Sequence, residues 1–286
     1  RVYESTSFLP PYFEPDKKKA WKTINKRIRR RNRFSYFASK FNYAAAVFAI
    51  VLLSSAFFWF YTSLVDRFSR QYTEIIAPAG QKTKVVLPDG STVWLNSGSI
   101  LKYNGTFNVK DREVLLAEGE AFFDVAKNKS KRFRVKTDHL YVDVHGTAFN
   151  VKNYKDDSVE EITVREGKVA IMDANKELKL LTCGEQAVLD KKSNLLFFTQ
   201  SDPEAVSSWK NSELEFDNTP LSEVVKYLER WYGVNIYIEP SSAMGKHHYT
   251  FQIKTESLAE MLEKMKVITP ITYEINGKDV KIKYIH

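Results

Sequence analysis

Three regimes of hydropathy follow one another along the chain. The first contains one uninterrupted apolar run, FNYAAAVFAIVLLSSAFFWFYTSLV, from Phe41 to Val65, with no acidic or basic side chain. As a helix it would be about 37 Å long at 1.5 Å per residue. That length crosses a bilayer core of about 30 Å with some tilt. A helix apolar on every face has no solvated side, unlike an amphipathic surface helix. Phe41 and Tyr43 at one end, and Phe57, Phe58, Trp59, Phe60 and Tyr61 at the other, fit the aromatic belts of a membrane interface. A buried helix of a large soluble domain is the alternative. A cleavable signal peptide would have a shorter apolar region nearer the chain start. Residues 41–65 are therefore read as a single membrane span.

The second regime runs from Ile75 to about Gln200 and consists of short alternating runs: TKVVL, TVWL, AFFDV, LYVDV, AFNV, EEITV and KVAIM. Turn residues separate them at Pro88-Asp89-Gly90, Asn104-Gly105 and Asn128-Lys129. Short, evenly spaced strands with no helical stretch predict an all-β domain. Glycine followed by a strand recurs at Gly119, Gly146, Gly167 and Gly184, with uneven spacing. A rolled sandwich with solenoid-like stacking is favoured over a closed barrel.

The third regime begins near Ser201 and restores helical periodicity. Ser201-Asp202-Pro203 predicts a short connecting helix over 203–210. Thr219 is read as an N-cap with Pro220 at the first helical position, and Leu221, Val224, Val225 and Leu228 form one apolar stripe. Gly233 ends that helix. VNIYI and HYTFQI read as strands. Ser257 and Glu260 form a capping box for a helix carrying Leu258, Met261, Leu262 and Met265. ITYEI and VKIKYI close a hairpin across Asn276-Gly277. The predicted order is β-α-β-β-α-β-β, a small α+β module.

Charge adds topology. Residues 1–65 hold 12 Lys/Arg against 3 Asp/Glu, whereas the remaining 31 basic and 32 acidic residues nearly cancel. Eleven of the basic residues lie between Lys17 and Lys40, just before the apolar run. The positive-inside rule places that flank in the cytoplasm and everything after Val65 across the membrane. The excess is not on the folded part, so no direct nucleic-acid surface is expected. Within the basic segment, Trp21, Ile24 and Ile28 make a narrow apolar stripe, suited to anionic lipid or a cytoplasmic partner, or simply to stopping transfer. Pro10–Pro11 marks an extended linker in an irregular stretch over residues 1–14. The expected layout is a basic juxtamembrane segment (1–40), the span (41–65), a linker (66–74), an all-β domain (75–200) and the α+β module (201–286). The single cysteine, Cys183, excludes an internal disulfide framework and is expected as a small buried apolar residue.

LPDGSTVWLNSGSILKY (Leu87–Tyr103), LLAEGEAFFDVAKNKSKRFRVKT (Leu115–Thr137) and VDVHGTAFNVKNY (Val142–Tyr154) resemble the core motifs of the FecR family. FDNTPLSEVVKYLERWYGVNI is similar to the C-terminal module of the Bacteroidetes branch of that family, and to the short N-terminal domain of secretins and TonB-dependent transducers. The resemblance implies a single-pass inner-membrane anti-sigma factor with a cytoplasmic N-terminus and periplasmic C-terminal domains. Its implied partners are an extracytoplasmic-function sigma factor inside and the periplasmic signalling domain of an outer-membrane TonB-dependent transducer outside. It also implies a helical sigma-binding domain before the span. Either residues precede Arg1, or the basic segment 16–33 is the tail of that domain. An intramembrane protease is a further implied partner, with Ser54–Ser55 and their small neighbours a place for the helix to unwind. A bitopic envelope scaffold whose C-terminal module docks on a secretin-type channel is the alternative.

Enzyme chemistry finds little support. No G-x-S-x-G elbow, phosphate loop or C-x-x-C is present. Asp143 and His145 share a strand face, but two ligands do not make a metal site, and adjacent His247 and His248 point to opposite faces. No cofactor and no metal are expected. One bond stands out through the resemblance: some FecR-type regulators are cut at a Gly-Thr bond in a motif matching HGTAFNV. Here that bond is Gly146–Thr147. The Thr147 hydroxyl could attack the Gly146 carbonyl to give an ester that water hydrolyses, with His145 as candidate base. The alternative is a glycine required by a tight turn and a threonine suited to a strand.

Overall fold

The computed structural model describes residues 16–69, 71–173, 176–241, 247–254 and 256–285. The expected linker at Pro10–Pro11 and His286 lie outside them. Two compact units are present, residues 1–64 and 65–286. A single helix, α1 (Lys17–Ser69), carries both the basic segment and the apolar run and ends a few residues beyond the first unit. Asp16 starts it by accepting backbone N–H bonds from Lys18 and Lys19. Ala45–Val65 is long and apolar enough to cross a membrane, with a mean hydropathy of 1.9 and none of its surface buried. The hydroxyls of Ser54 and Ser55 donate back to the carbonyls of Val51 and Leu52, so each is satisfied within the helix. The expected linker over 66–74 is shorter than read: α1 continues through Ser69 and the first strand begins at Tyr72.

The second unit contains a curled 13-stranded sheet and, after it, the smaller α+β part. The sheet comprises β1 (Tyr72–Ile76), β2 (Thr83–Val86), β3 (Thr92–Leu95), β4 (Ile100–Asn104), β5 (Glu113–Asp124), β6 (Phe133–Lys136), β7 (Tyr141–Val144), β8 (Ala148–Asn153), β9 (Val159–Glu166), β10 (Lys168–Asp173), β11 (Lys176–Thr182), β12 (Glu185–Asp190) and β13 (Leu195–Gln200). Its main path runs β11-β10-β7-β6-β5-β8-β9-β12-β13. The long β5 joins the two halves. Its first residues pair with β4 and β6, and its last pair with β3 and β8.

Gly119 lets β5 turn between these partners. Its φ is +103°, and a Cβ there would lie 2.3 Å from Ser99 Oγ. Only the β5–β6 pairing is parallel in this sheet, among the described residues. Stacked solenoid coils would pair in parallel, so the sheet curls through antiparallel hairpins instead. One core fills the curl, with Phe123 stacked on Phe149 at 5.1 Å and Leu95, Leu101, Leu116, Phe133, Ile162 and Ile171 fully buried. Each such side chain contributes about 1.5–3 kcal/mol from burial.

A short helix α2 (Ala205–Ser208) and a 3-10 turn (Trp209–Asn211) lead to the second core. There β14 (Leu214–Pro220), α3 (Leu221–Tyr232), β15 (Asn235–Glu239), β16 (His248–Ile253), α4 (Leu258–Ile268), β17 (Ile271–Asn276) and β18 (Asp279–Tyr284) form two small sheets, β14-β16 and β15-β18-β17. Leu221, Val224, Val225 and Leu228 of α3 are buried in this core, as their spacing requires. The start of α3 differs from expectation. Thr219 and Pro220 pair with β16, so Pro220 occupies the cap position and no side chain caps the helix. The Leu221 N–H donates instead to the His247 carbonyl.

Candidate functional site

The two cores of residues 65–286 meet along α3. Its apolar stripe faces its own core, which leaves Lys226, Tyr227, Arg230 and Trp231 on other faces at i, i+4 spacing. Lys226 and Arg230 meet the β8–β9 turn, Tyr227 meets Lys152 of β8, and Trp231 lies under Lys82. The Arg230 guanidinium donates from Nη1 to Asp157 Oδ2 at 3.0 Å and from Nη2 to Asp157 Oδ1 at 2.8 Å. Nη2 also reaches Asp156 at 2.8 Å, and the guanidinium lies 3.7 Å over the Tyr154 ring. Lys226 Nζ donates to the Asp156 carbonyl at 2.9 Å and to Asp157 at 3.2 Å. From β8, Lys152 Nζ donates to Tyr227 Oη at 2.9 Å and pairs with Glu161 at 3.5 Å.

Burial alone would raise the Asp157 carboxyl, but hydrogen bonds from Arg230 and the charge of Lys152 hold it below the usual carboxylate range. Burial raises the Tyr227 hydroxyl, which stays protonated beside Lys152. Backbones also touch along this seam. A Cβ on Gly80 would lie 3.1 Å from backbone atoms of Tyr232 and Gly233, and one on Gly233 would lie 3.0 Å from Ala79. A bidentate pair, a buried lysine–tyrosine contact and glycine-on-glycine approach hold the smaller core against the curled sheet.

Most of the seam escapes sequence reasoning. The apolar stripe of α3 is legible, whereas Lys226, Tyr227, Arg230 and Trp231 read as its ordinary polar and aromatic side. Their i, i+4 pairing, with the large aromatics Tyr227 and Trp231 flanking the core stripe and packing against its edge, is the signal that could have marked a wider buried face.

The residues singled out from the sequence are placed elsewhere. Gly146 has φ +140°, with the backbone of Lys127 2.7 Å from where its Cβ would be. Thr147 is buried, and its hydroxyl donates to the Lys168 carbonyl at 2.9 Å. The exposed His145 directs Nδ1 at the Asn128 carbonyl, 3.1 Å away. Hydroxyl and imidazole are each engaged with a different backbone carbonyl. Asp143 does not join His145 in a ligand pair. Its carboxylate takes two hydrogen bonds from Arg134, both at 2.6 Å. Among the described residues, no group of three His, Cys, Asp or Glu could hold a metal ion. Cys183 is exposed rather than buried, because it sits in the β11–β12 turn, where its thiol donates to the Arg165 carbonyl.

Residues 73–170 match the family model described as FecR protein, and residues 213–282 match that described as FecR, C-terminal. No curated protein matches the chain in sequence. Two crystal structures of an anti-sigma factor candidate from Parabacteroides distasonis ATCC 8503, at 2.50 and 1.65 Å resolution, superpose with a TM-score of 0.67. They are 30% and 31% identical to this chain, and the matches span 76% and 75% of it and 100% of the other chains. The sequence motifs, the curled sheet with its appended α+β part, and the likeness over the whole length of both crystal structures give one answer: this chain belongs to the FecR family of anti-sigma factors.

Proposed function

We propose that the chain is a single-pass inner-membrane anti-sigma factor acting on an extracytoplasmic-function sigma factor. The basic flank lies in the cytoplasm, α1 crosses the membrane at Ala45–Val65, and residues 72–286 occupy the periplasm. The outer part receives the periplasmic signalling domain of a TonB-dependent transducer on the α+β part, and docking shifts the population of states that hold or release the sigma factor. One observation carries this reading: an apolar, unburied helical segment with a strongly basic flank on one side and a compact, charge-balanced body on the other. The Arg230–Asp157 seam supports it, because a load on α3 is borne by the sheet from which the chain leads back to α1. An intramembrane protease acting on the span is part of the same proposal.

Two measurements test it. Protease added to spheroplasts should degrade residues 72–286, and the chain extracted from membranes should bring a sigma factor with it. Protection of that body in intact spheroplasts reverses the topology. Capture of a secretin-type channel without any sigma factor would support the envelope-scaffold reading instead.

A further inference from the structure

A cavity of about 270 Å³ opens at the seam, between β5, β8 and α3, and Glu120 lies on its wall. Glu120 is 5% exposed. Its two oxygens accept from Asn96 Nδ2 at 2.8 Å and Asn150 Nδ2 at 2.9 Å. Both amides are oriented by groups that can only donate. The Ser97 N–H donates to Asn96 Oδ1, and the Trp209 indole N–H donates to Asn150 Oδ1. Glu120 therefore receives two N–H donors and faces no acceptor, the arrangement that suits an ionised carboxylate. Burial pushes this carboxyl above the usual carboxylate range, and Lys152 and the two amides offset only part of that rise.

Yet no cationic nitrogen lies within 4.0 Å of Glu120 among the described residues. Lys152 is held by Tyr227 and Glu161, and Arg230 by Asp156 and Asp157. A buried carboxylate with donors but no direct ion pair is costly. The remaining walls include Trp209, Phe216, Tyr227 and Trp231, rings of a kind that favours cations, with Lys152 already 4.9 Å over Tyr227 and Lys82 3.6 Å over Trp231. Glu161, Glu215 and Glu223 add further negative charge to the lining, which also holds Lys152 and Arg230, each already paired with carboxylates.

We propose that this cavity binds a small organic cation, an ammonium head on a short apolar body, seated on Glu120 between the aromatic walls. The site spans both cores, so occupancy stiffens the seam, whatever partner the outer surface takes.

The test uses the full chain in detergent, with choline and n-butylammonium as probes in saturation-transfer NMR and calorimetry. The neutral isostere 3,3-dimethyl-1-butanol is the control. At least one cation should bind while the neutral isostere does not, and Glu120→Gln should weaken binding by roughly tenfold or more, the loss of one charged contact. Trp231→Leu, at the half-exposed wall, removes a ring without touching the amide network and should weaken binding roughly threefold or more. Absence of binding by both cations, equal binding of the isostere, or unchanged affinity in Glu120→Gln overturns the proposal. Should Glu120→Gln not fold, unchanged affinity in Trp231→Leu overturns it alone.

Discussion

Arg230 on α3 and Asp157 in the β8–β9 turn grip each other through two hydrogen bonds, at 3.0 and 2.8 Å, across the line where the two cores of residues 65–286 meet. The fork of a guanidinium fixes orientation as well as distance, so this pair sets the angle of α3 against the sheet. Arginine at this position is already charged at any physiological pH. The pair therefore responds to the carboxylate and to load, and hardly to the guanidinium.

Removing the fork should loosen the joint. Arg230→Ala leaves Asp157 with Lys226 and Lys152 nearby, so the cost falls below that of a fully orphaned buried charge, at about 2 kcal/mol. Denaturant unfolding of the chain in detergent should show the loss, with the smaller core melting ahead of the sheet. Acid should reveal the same contact. The folded Asp157 is held below its unfolded value, so its contribution is complete above about pH 3.9 and disappears as pH falls through the folded value. Arg230→Ala should flatten that limb of the stability profile.

Lys82 lies 3.6 Å over the Trp231 ring, and burial lowers its ammonium to about 8, with Glu120 opposing the shift. A titration of the lysine Nζ signals should find one group with a midpoint near that value. The depressed value means that stability is greatest above the unfolded lysine range and falls as pH drops through about 8. Lys82→Met should remove that fall, and a profile identical to the unaltered chain would refute the assignment.

Ser257 caps α4: its side chain accepts from the Glu260 N–H, and Glu260 accepts from the Ser257 N–H at 2.7 Å. Ser257→Ala should cost about 1 kcal/mol. Because α4 packs in the smaller core, hydrogen exchange should rise there and leave β5 and β8 unchanged.

Processing at Gly146–Thr147 would leave fragments 1–146 and 147–286. Strand β8 lies beyond the bond and pairs with β5 before it, so the pieces would stay together in native conditions and separate only on a denaturing gel. Thr147→Ala removes the hydroxyl that now donates to Lys168 and should abolish the fragments. Identical gels for the two proteins eliminate this route.

Much of the architecture is written in local pattern. The membrane-length apolar run, the strand-rich middle, the α3 stripe of Leu221, Val224, Val225 and Leu228, and the capping box at Ser257 all follow from periodicity and cap chemistry acting over a few residues. Local chemistry also misleads where a tertiary partner competes. Thr219-Pro220 resembles a helix start, yet pairing with β16 draws both residues into a strand. Cys183 looks like a buried filler, yet the β11–β12 turn carries it into solvent.

Hydrophobic spacing alone dictates which segments bury apolar surface, because it needs only the period of a helix or strand. The motifs that shape the curled sheet likewise mark the family. Which polar side chains meet is set by long-range packing. Glu120 and Asn150 lie 30 residues apart, and Arg230 and Asp157 lie 73 apart. No local rule links such positions; they come together because β5, β8 and α3 converge on one seam, where burial makes each charge depend on its neighbours.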